Sequence, residues 1–125
     1  MIDPFNITKY ENTEAELEEV LLFWVLAAGK KAVNASKSLN LFLGENVKAP
    51  FAYIKTLTID EISNLMKSCG IGCYNNKAFT FYQLAHSNLN LKECNTEDLE
   101  KIKGIGMKTS RCFIIHSRKN ANYGN

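Results

Sequence analysis

The residues best suited to chemistry in this chain lie together near its C-terminal end: Lys103, Gly104, Ile105, Gly106, Lys108, Thr109 and Arg111. Two glycines around a single apolar residue make a turn that admits positive φ and lets backbone come close to another molecule. A helix starting at such a turn presents N–H groups that lack intrahelical acceptors. With the positive end of the helix dipole, those groups suit a phosphate oxygen. Lys103 and Lys108 flank the turn and add charge-assisted contacts. Contacts of this kind hold a polyanion by its backbone and select no base sequence. Lys108 is expected near a helix N-terminus in a partly apolar site, a setting that favours the neutral amine.

Charge is distributed to match. The net charge is only +2, but residues 101–119 hold six basic side chains (Lys101, Lys103, Lys108, Arg111, Arg118 and Lys119) and no acidic one. Asp3, Glu11, Glu14, Glu16, Glu18 and Glu19 crowd the other end, opposed there by Lys9 alone. A basic end of this sort favours a polyanionic partner. His116, just beyond the turn, is a further candidate for a phosphate. Trp24, Tyr74 and Tyr82 recur at helical spacing and are read as core aromatics rather than base-stacking platforms; His86 is read as a boundary residue.

The elements that must position these residues are helical throughout. Thr13 and Glu16 form a capping box ahead of Leu17, Val20, Leu21, Trp24 and Ala28. This first helix is apolar on more than one face, as expected of a helix running through the middle of a domain. A second helix is expected over residues 31–43 with Gly44 as its stop. Pro50 opens a third through Leu57, with Phe51, Ile54 and Leu57 on one face. Thr58 and Glu61 box the next, which buries Ile59, Ile62, Leu65 and Met66 and ends at Gly70. Asn75 or Asn76 caps another that carries Phe79, Tyr82 and Leu84 inward. Thr96 caps a short helix with Leu99 and Ile102, and residues 107–118 form the last. No stretch alternates with period two, so no strand is expected. The reading is an all-α bundle of six or seven helices, with an N-terminal extension (1–12), a helical domain (13–118) holding the hairpin at 96–118, and a frayed tail (119–125).

Composition sets the class. A chain of 125 residues, 46% hydrophobic and 22% charged, fits one globular domain. No apolar run approaches the ~18–20 residues that span a bilayer. Residues 20–28 are too short and too acidic in their approach for a signal peptide. A monomer in the cytoplasm, nucleoid-associated in a bacterial or viral setting, and without a membrane partner, is the expectation. Cys69, Cys73, Cys94 and Cys112 have neither a disulfide-framework pattern nor metal-ligand spacing. They are read as reduced, mostly buried thiols, with no metal site.

Taken together, Ile102, Lys103, Gly104, Ile105, Gly106, Met107, Lys108 and Thr109 resemble the helix-hairpin-helix of the endonuclease III-like (HhH-GPD) superfamily of base-excision DNA glycosylases. The pattern there is an apolar residue, a helix break, Gly-apolar-Gly, one residue, then Lys-Thr. Lys103 stands where a Pro is usual. Upstream, Gly70-Ile71-Gly72-Cys73-Tyr74-Asn75-Asn76-Lys77-Ala78 is similar to the same family's Gly-apolar-x-x-x-x-Lys-Ala segment, which turns the chain between two helices of a six-helix barrel. The resemblance covers the chain roughly from Leu17 onward.

That resemblance implies double-stranded DNA, damaged or abasic, as the partner, and base excision as the chemistry. Lys108 holds the place of the amine that attacks the sugar C1′ in bifunctional members. The family's Asp, shortly after the hairpin and before a Thr-His pair, has no counterpart, since no Asp or Glu follows Glu100. Asp98 and Glu100 precede the turn and are expected to face another direction. A truncated gene product is therefore expected, with the C-terminal region that holds a 4Fe–4S cluster in some relatives absent and no cofactor in these residues. A non-catalytic DNA-binding module is the alternative. Where relatives insert a polar side chain into the gap left by a flipped base, this chain has Ala28-Gly29-Lys30-Lys31. Gly29 cannot wedge a base stack, and Lys30 and Lys31 are read as phosphate contacts.

Overall fold

The computed structural model describes residues 2–119. They form seven α-helices and one 3-10 turn: α1 (Glu14–Ala27), α2 (Ala32–Leu43), the 3-10 turn (Gly44–Lys48), α3 (Pro50–Lys55), α4 (Ile59–Ser68), α5 (Tyr74–His86), α6 (Thr96–Glu100) and α7 (Met107–Ser117). No strand occurs among the described residues, so the all-α class holds. No helix among them is long and apolar enough to cross a membrane.

The Thr13–Glu16 capping box is present in both directions and launches α1. Leu21, Leu22 and Phe23 are successive in sequence and all fully buried. Three consecutive buried positions point in three directions around a helix, so α1 must be enclosed. It is: α2, the 3-10 turn, α3, α5 and α7 all pack against it. Each such Leu or Phe contributes about 1.5–3 kcal/mol through burial. α4 packs along α5 and against α2, while α6 packs on α7. Residues 2–12 lie back on this body. The Lys9 N–H donates to His116 O (3.0 Å), and Ser36 Oγ donates to Ile2 O (2.7 Å).

Several local expectations are corrected. Residues 44–48 form a 3-10 turn where only a helix stop was anticipated. α5 is capped by neither Asn75 nor Asn76; it starts at Tyr74 behind Cys73, whose φ of +51° is left-handed. Asn75 Oδ1 instead accepts from Ser63 Oγ across the α4–α5 contact (2.5 Å). The inner stripe of α5 is Ala78, Phe81, Leu84 and Ala85, so Phe79 turns outward and is exposed. In α4, Ile62, Ser63 and Met66 take the inner face, leaving Ile59 exposed at its first position. Asn95, not Thr96, caps α6, in a reciprocal box with Asp98. Of the thiols, all free, only Cys94 is buried; Cys69 and Cys112 are half-buried and Cys73 is exposed. The tail beyond residue 119 lies outside the described residues.

Candidate nucleic-acid interface

The glycine turn joins α6 to α7, and two peptide contacts set its shape: the Ile102 N–H donates to Leu99 O (3.1 Å) and the Ile105 N–H to Ile102 O (3.1 Å). Ile105 is buried in the same core as Leu99, Phe113 and Ile114, so its apolar side chain pins the turn between the helices. Its side chain therefore cannot touch a ligand, and only its backbone remains available.

The two glycines do different work. Gly104 has φ +100°, and a Cβ there would lie 2.1 Å from Thr80 Oγ1. The close backbone approach expected with another molecule is, at this position, an approach to the chain's own α5. Thr80 is 3% exposed and donates through Oγ1 to Lys103 O (2.8 Å). One turn further along α5, Gln83 engages the backbone of the same residue twice. Its Nε2 donates to Lys103 O (3.1 Å) and its Oε1 accepts from the Lys103 N–H (3.2 Å). Three hydrogen bonds thus fasten the turn to α5. Sequence reasoning missed Thr80 and Gln83, because nothing in their local spacing refers to residue 103.

Gly106 is the opposite case. It caps α7 in extended conformation (φ −97°, ψ −175°), which any residue adopts. A Cβ there would meet nothing within 4 Å. No feature of the fold among the described residues requires glycine at 106. Its carbonyl accepts the first intrahelical bond, from the Ser110 N–H (3.1 Å), and no side chain caps this end. The N–H groups of Met107, Lys108 and Thr109 therefore precede the helix's own acceptors. By contrast α1, α4 and α6 each carry a full capping box.

Around this open end stand Lys101, Lys103, Lys108 and Arg111, all exposed. The partly apolar setting expected for Lys108 is not what the fold provides, since its neighbours at the helix start, Gly106 and Met107, are exposed too. The Thr109 side chain is buried, leaving its N–H as the outward group. Ser110 is fully buried, with Oγ 3.0 Å from Met107 O and 3.4 Å from Glu100 Oε2. Glu100 thus turns back toward α7 rather than away from it, a correction to the expected separation of that carboxylate from the hairpin. Neither Asp60, in the first turn of α4, nor Asp98, held in the α6 cap, is recruited to the turn.

The remaining sequence candidates divide. His116 is committed to packing: its ring stacks on Trp24 (centroids 5.1 Å apart) and Nδ1 meets Thr8 Oγ1 at 2.7 Å. It is not placed to receive a phosphate. Trp24 packs edge-on to Phe23, as a core aromatic should. Tyr82 lies against the His86 ring, and Tyr74 lies under Lys67 Nζ. Lys31 is exposed at the start of α2, while Lys30 is half-buried, its Nζ donating to Gly70 O (3.1 Å) and Ser38 Oγ (3.4 Å). Among the described residues no three His, Cys, Asp or Glu side chains converge as a metal site would need. No family model matches the chain, and neither a curated protein nor a solved structure shows significant similarity to it.

Proposed function

We propose that this chain is a duplex-DNA-binding domain of the base-excision type, gripping the sugar–phosphate backbone through a helix-hairpin-helix formed by α6, the glycine turn and α7. The observation that carries the reading is Gly106. A bare backbone stands at an uncapped helix N-terminus, flanked by exposed lysines, where the fold itself has no steric use for glycine. A phosphate oxygen accepting from the N–H groups of residues 107–109 needs that bare backbone, and Lys103 and Lys108 supply the charge.

The endonuclease III-like resemblance extends this to chemistry at an abasic site. The ring-opened sugar is an aldehyde at C1′. The neutral Lys108 amine adds to that carbon, water leaves, and an imine links protein to DNA. Loss of an intact base calls for a carboxylate beside the sugar, and no Asp or Glu follows Glu100. These residues are therefore assigned binding and the amine step, not base removal.

The test uses a duplex of mixed sequence, with and without one abasic site. Expected are affinity that falls steeply with salt, a borohydride-trapped adduct on abasic DNA, and loss of that adduct in Lys108→Ala. Absence of duplex binding at low salt refutes the whole reading. Binding without any trapped adduct leaves a non-catalytic module, favoured by the exposure of Lys108.

A further inference from the structure

The clefts of this fold differ in charge. Glu14 and Glu18 share one with Lys48 and Lys55, Asp60 shares another with Lys55, and Asp3, Glu16 and Glu19 outnumber Lys9 in a third. A fourth cleft, of about 460 Å³, is cationic. Lys92, Arg118 and Lys119 line it, with Glu11 as the one acid among its described walls. Three separate stretches build it: the segment before α1, the α5–α6 connection and the end of α7.

Arg118 is the fixed member of the group. It is the C-cap of α7 and half-buried. Its Nη2 donates to Leu91 O (3.0 Å) and lies 3.5 Å from Cys94 Sγ. Nε is enclosed without an acceptor, and Nη1 has none among the described residues. A guanidinium carries five N–H donors, so most of these stay unused. Cys94 does not offset the charge. Burial, above all, raises its thiol pKa against the opposing pull of Arg118, and the thiol stays protonated at neutral pH. Asp98 is held in the α6 cap by the Asn95 N–H. Neither Arg118, Lys92 nor Lys119 has a carboxylate within 4 Å among the described residues. The cleft therefore holds a pinned guanidinium and two exposed ammonium groups that no protein group neutralises.

Charge and size together say which anion. Three cations against one carboxylate call for more than one negative charge. A phosphate monoester carries about −1.5 to −2 at pH 7 and offers three strong acceptor oxygens. Arginine and lysine both donate charge-assisted bonds to such oxygens. The volume is that of a small-molecule site, about 300–1,000 Å³, and leaves room for an organic group beside the phosphoryl. The remaining walls suit one: Leu17 and Leu91 at the floor, and the Tyr10 ring, which is 49% exposed. A ring open on one side takes a flat group by stacking.

We propose that this cleft binds a phosphate monoester, with the phosphoryl group on Arg118, Lys92 and Lys119 and a flat organic group against Tyr10, Leu17 and Leu91. The inference goes beyond the DNA-binding reading and does not rest on it. The glycine turn lies at the other end of α7, about 15 Å of helix rise away. The same phosphoryl chemistry occurs on a free nucleotide and at the 5′ end of a nicked strand, and the experiment separates the two.

The experiment is titration calorimetry at low salt with adenosine 5′-monophosphate, adenosine and inorganic phosphate as probes. Wild type should bind the monophosphate, more tightly than inorganic phosphate, and give no heat with adenosine. Arg118→Gln should weaken monophosphate binding by about tenfold or more, and Lys92→Gln/Lys119→Gln by about threefold or more. Lys103→Gln/Lys108→Gln and Lys48→Gln should leave it unchanged. A short single strand with and without a 5′-phosphate, followed by anisotropy, then names the source. A gain in affinity from the 5′-phosphate that Arg118→Gln cancels assigns the site to a strand end; no gain assigns it to a free nucleotide. No binding of the monophosphate at millimolar concentration overturns the proposal, as does adenosine binding equally well. Inorganic phosphate binding as tightly as the monophosphate reduces the site to an adventitious ion only and overturns it too. Loss of binding in the Lys103/Lys108 pair, with the Lys92/Lys119 pair unchanged, sends the phosphoryl group to the hairpin instead. Should Arg118→Gln fail to fold by circular dichroism, the exposed Lys92/Lys119 pair decides, and unchanged affinity there overturns the site. Failure of duplex binding, by contrast, removes the hairpin reading and leaves this one standing.

Discussion

Replacing Gly104 by alanine tests how the turn is built. Two costs are legible. A residue with a Cβ at φ +100° sits in the region that L-residues avoid, at about 1–2 kcal/mol. The new Cβ would also meet Thr80 Oγ1 at 2.1 Å and Thr80 Cβ at 3.3 Å. Thr80 is stiff about χ1 and enclosed, so its hydroxyl must rotate away and surrender its bond to Lys103 O. That loss adds about 1 kcal/mol. Gly104→Ala is therefore expected to destabilise the domain by about 2–3 kcal/mol. Urea unfolding followed by circular dichroism measures it. In a Thr80→Ala background the 2.1 Å clash with Oγ1 is gone, and the backbone cost remains with the milder 3.3 Å approach to the Cβ of residue 80. The double variant should be more stable than the sum of the single changes predicts by about 1 kcal/mol or more. Strict additivity would refute the close approach as the reason for glycine at 104. So would an equal cost for Gly106→Ala, where a Cβ meets nothing.

Other outcomes follow from the same geometry. Gly106→Ala should change stability by less than about 1 kcal/mol yet weaken duplex binding several-fold, as read by anisotropy at fixed salt. Thr58→Ala removes one arm of the α4 capping box and should lower stability by about 1 kcal/mol in urea. Phe113→Ala empties a fully buried site on α7 and should cost about 3–5 kcal/mol, shifting the thermal midpoint of unfolding. Burial, above all, raises the Glu18 pKa against the bond its carboxylate accepts from the Phe51 N–H. A carboxyl raised in the folded state binds its proton more tightly there, so its contribution to stability is present below the ordinary glutamate value of about 4.3 and is lost as pH rises through the folded value. Glu18→Gln, which keeps an acceptor for Phe51, should flatten the decline in thermal midpoint between pH 4.5 and 7. Glu16 works in the opposite sense: Lys9 lowers its pKa first, and its contribution is lost as pH falls.

Local patterns carried most of the secondary structure, because helix signals are short-range. Thr13–Glu16 and Thr58–Glu61 are capping boxes on either reading, and Gly44 and Gly70 stop helices through their own backbone freedom. Buried-face assignments failed where two helices compete for one side of a third. Phe79 is as apolar as Phe81, and only the packing of α3 and α4 on α5 selects Phe81 for the interior. The cap of α5 was misplaced for the same reason, since Asn75 is occupied by Ser63 across the interface.

At the candidate site, sequence alone located the glycine turn, the uncapped start of α7 and the lysines around it. These depend on residues a few positions apart, and so do the physical causes that shape them. Sequence could not assign the two glycines separate roles. Gly104 is set by Thr80, twenty-four residues away, and Gly106 by the absence of any neighbour. The strap of Thr80 and Gln83 on Lys103 and the withdrawal of His116 into a stack with Trp24 are likewise contacts between distant elements. Each exists only once burial of α1 has drawn those elements together, because side-chain distance in a folded chain is decided by packing and not by sequence separation.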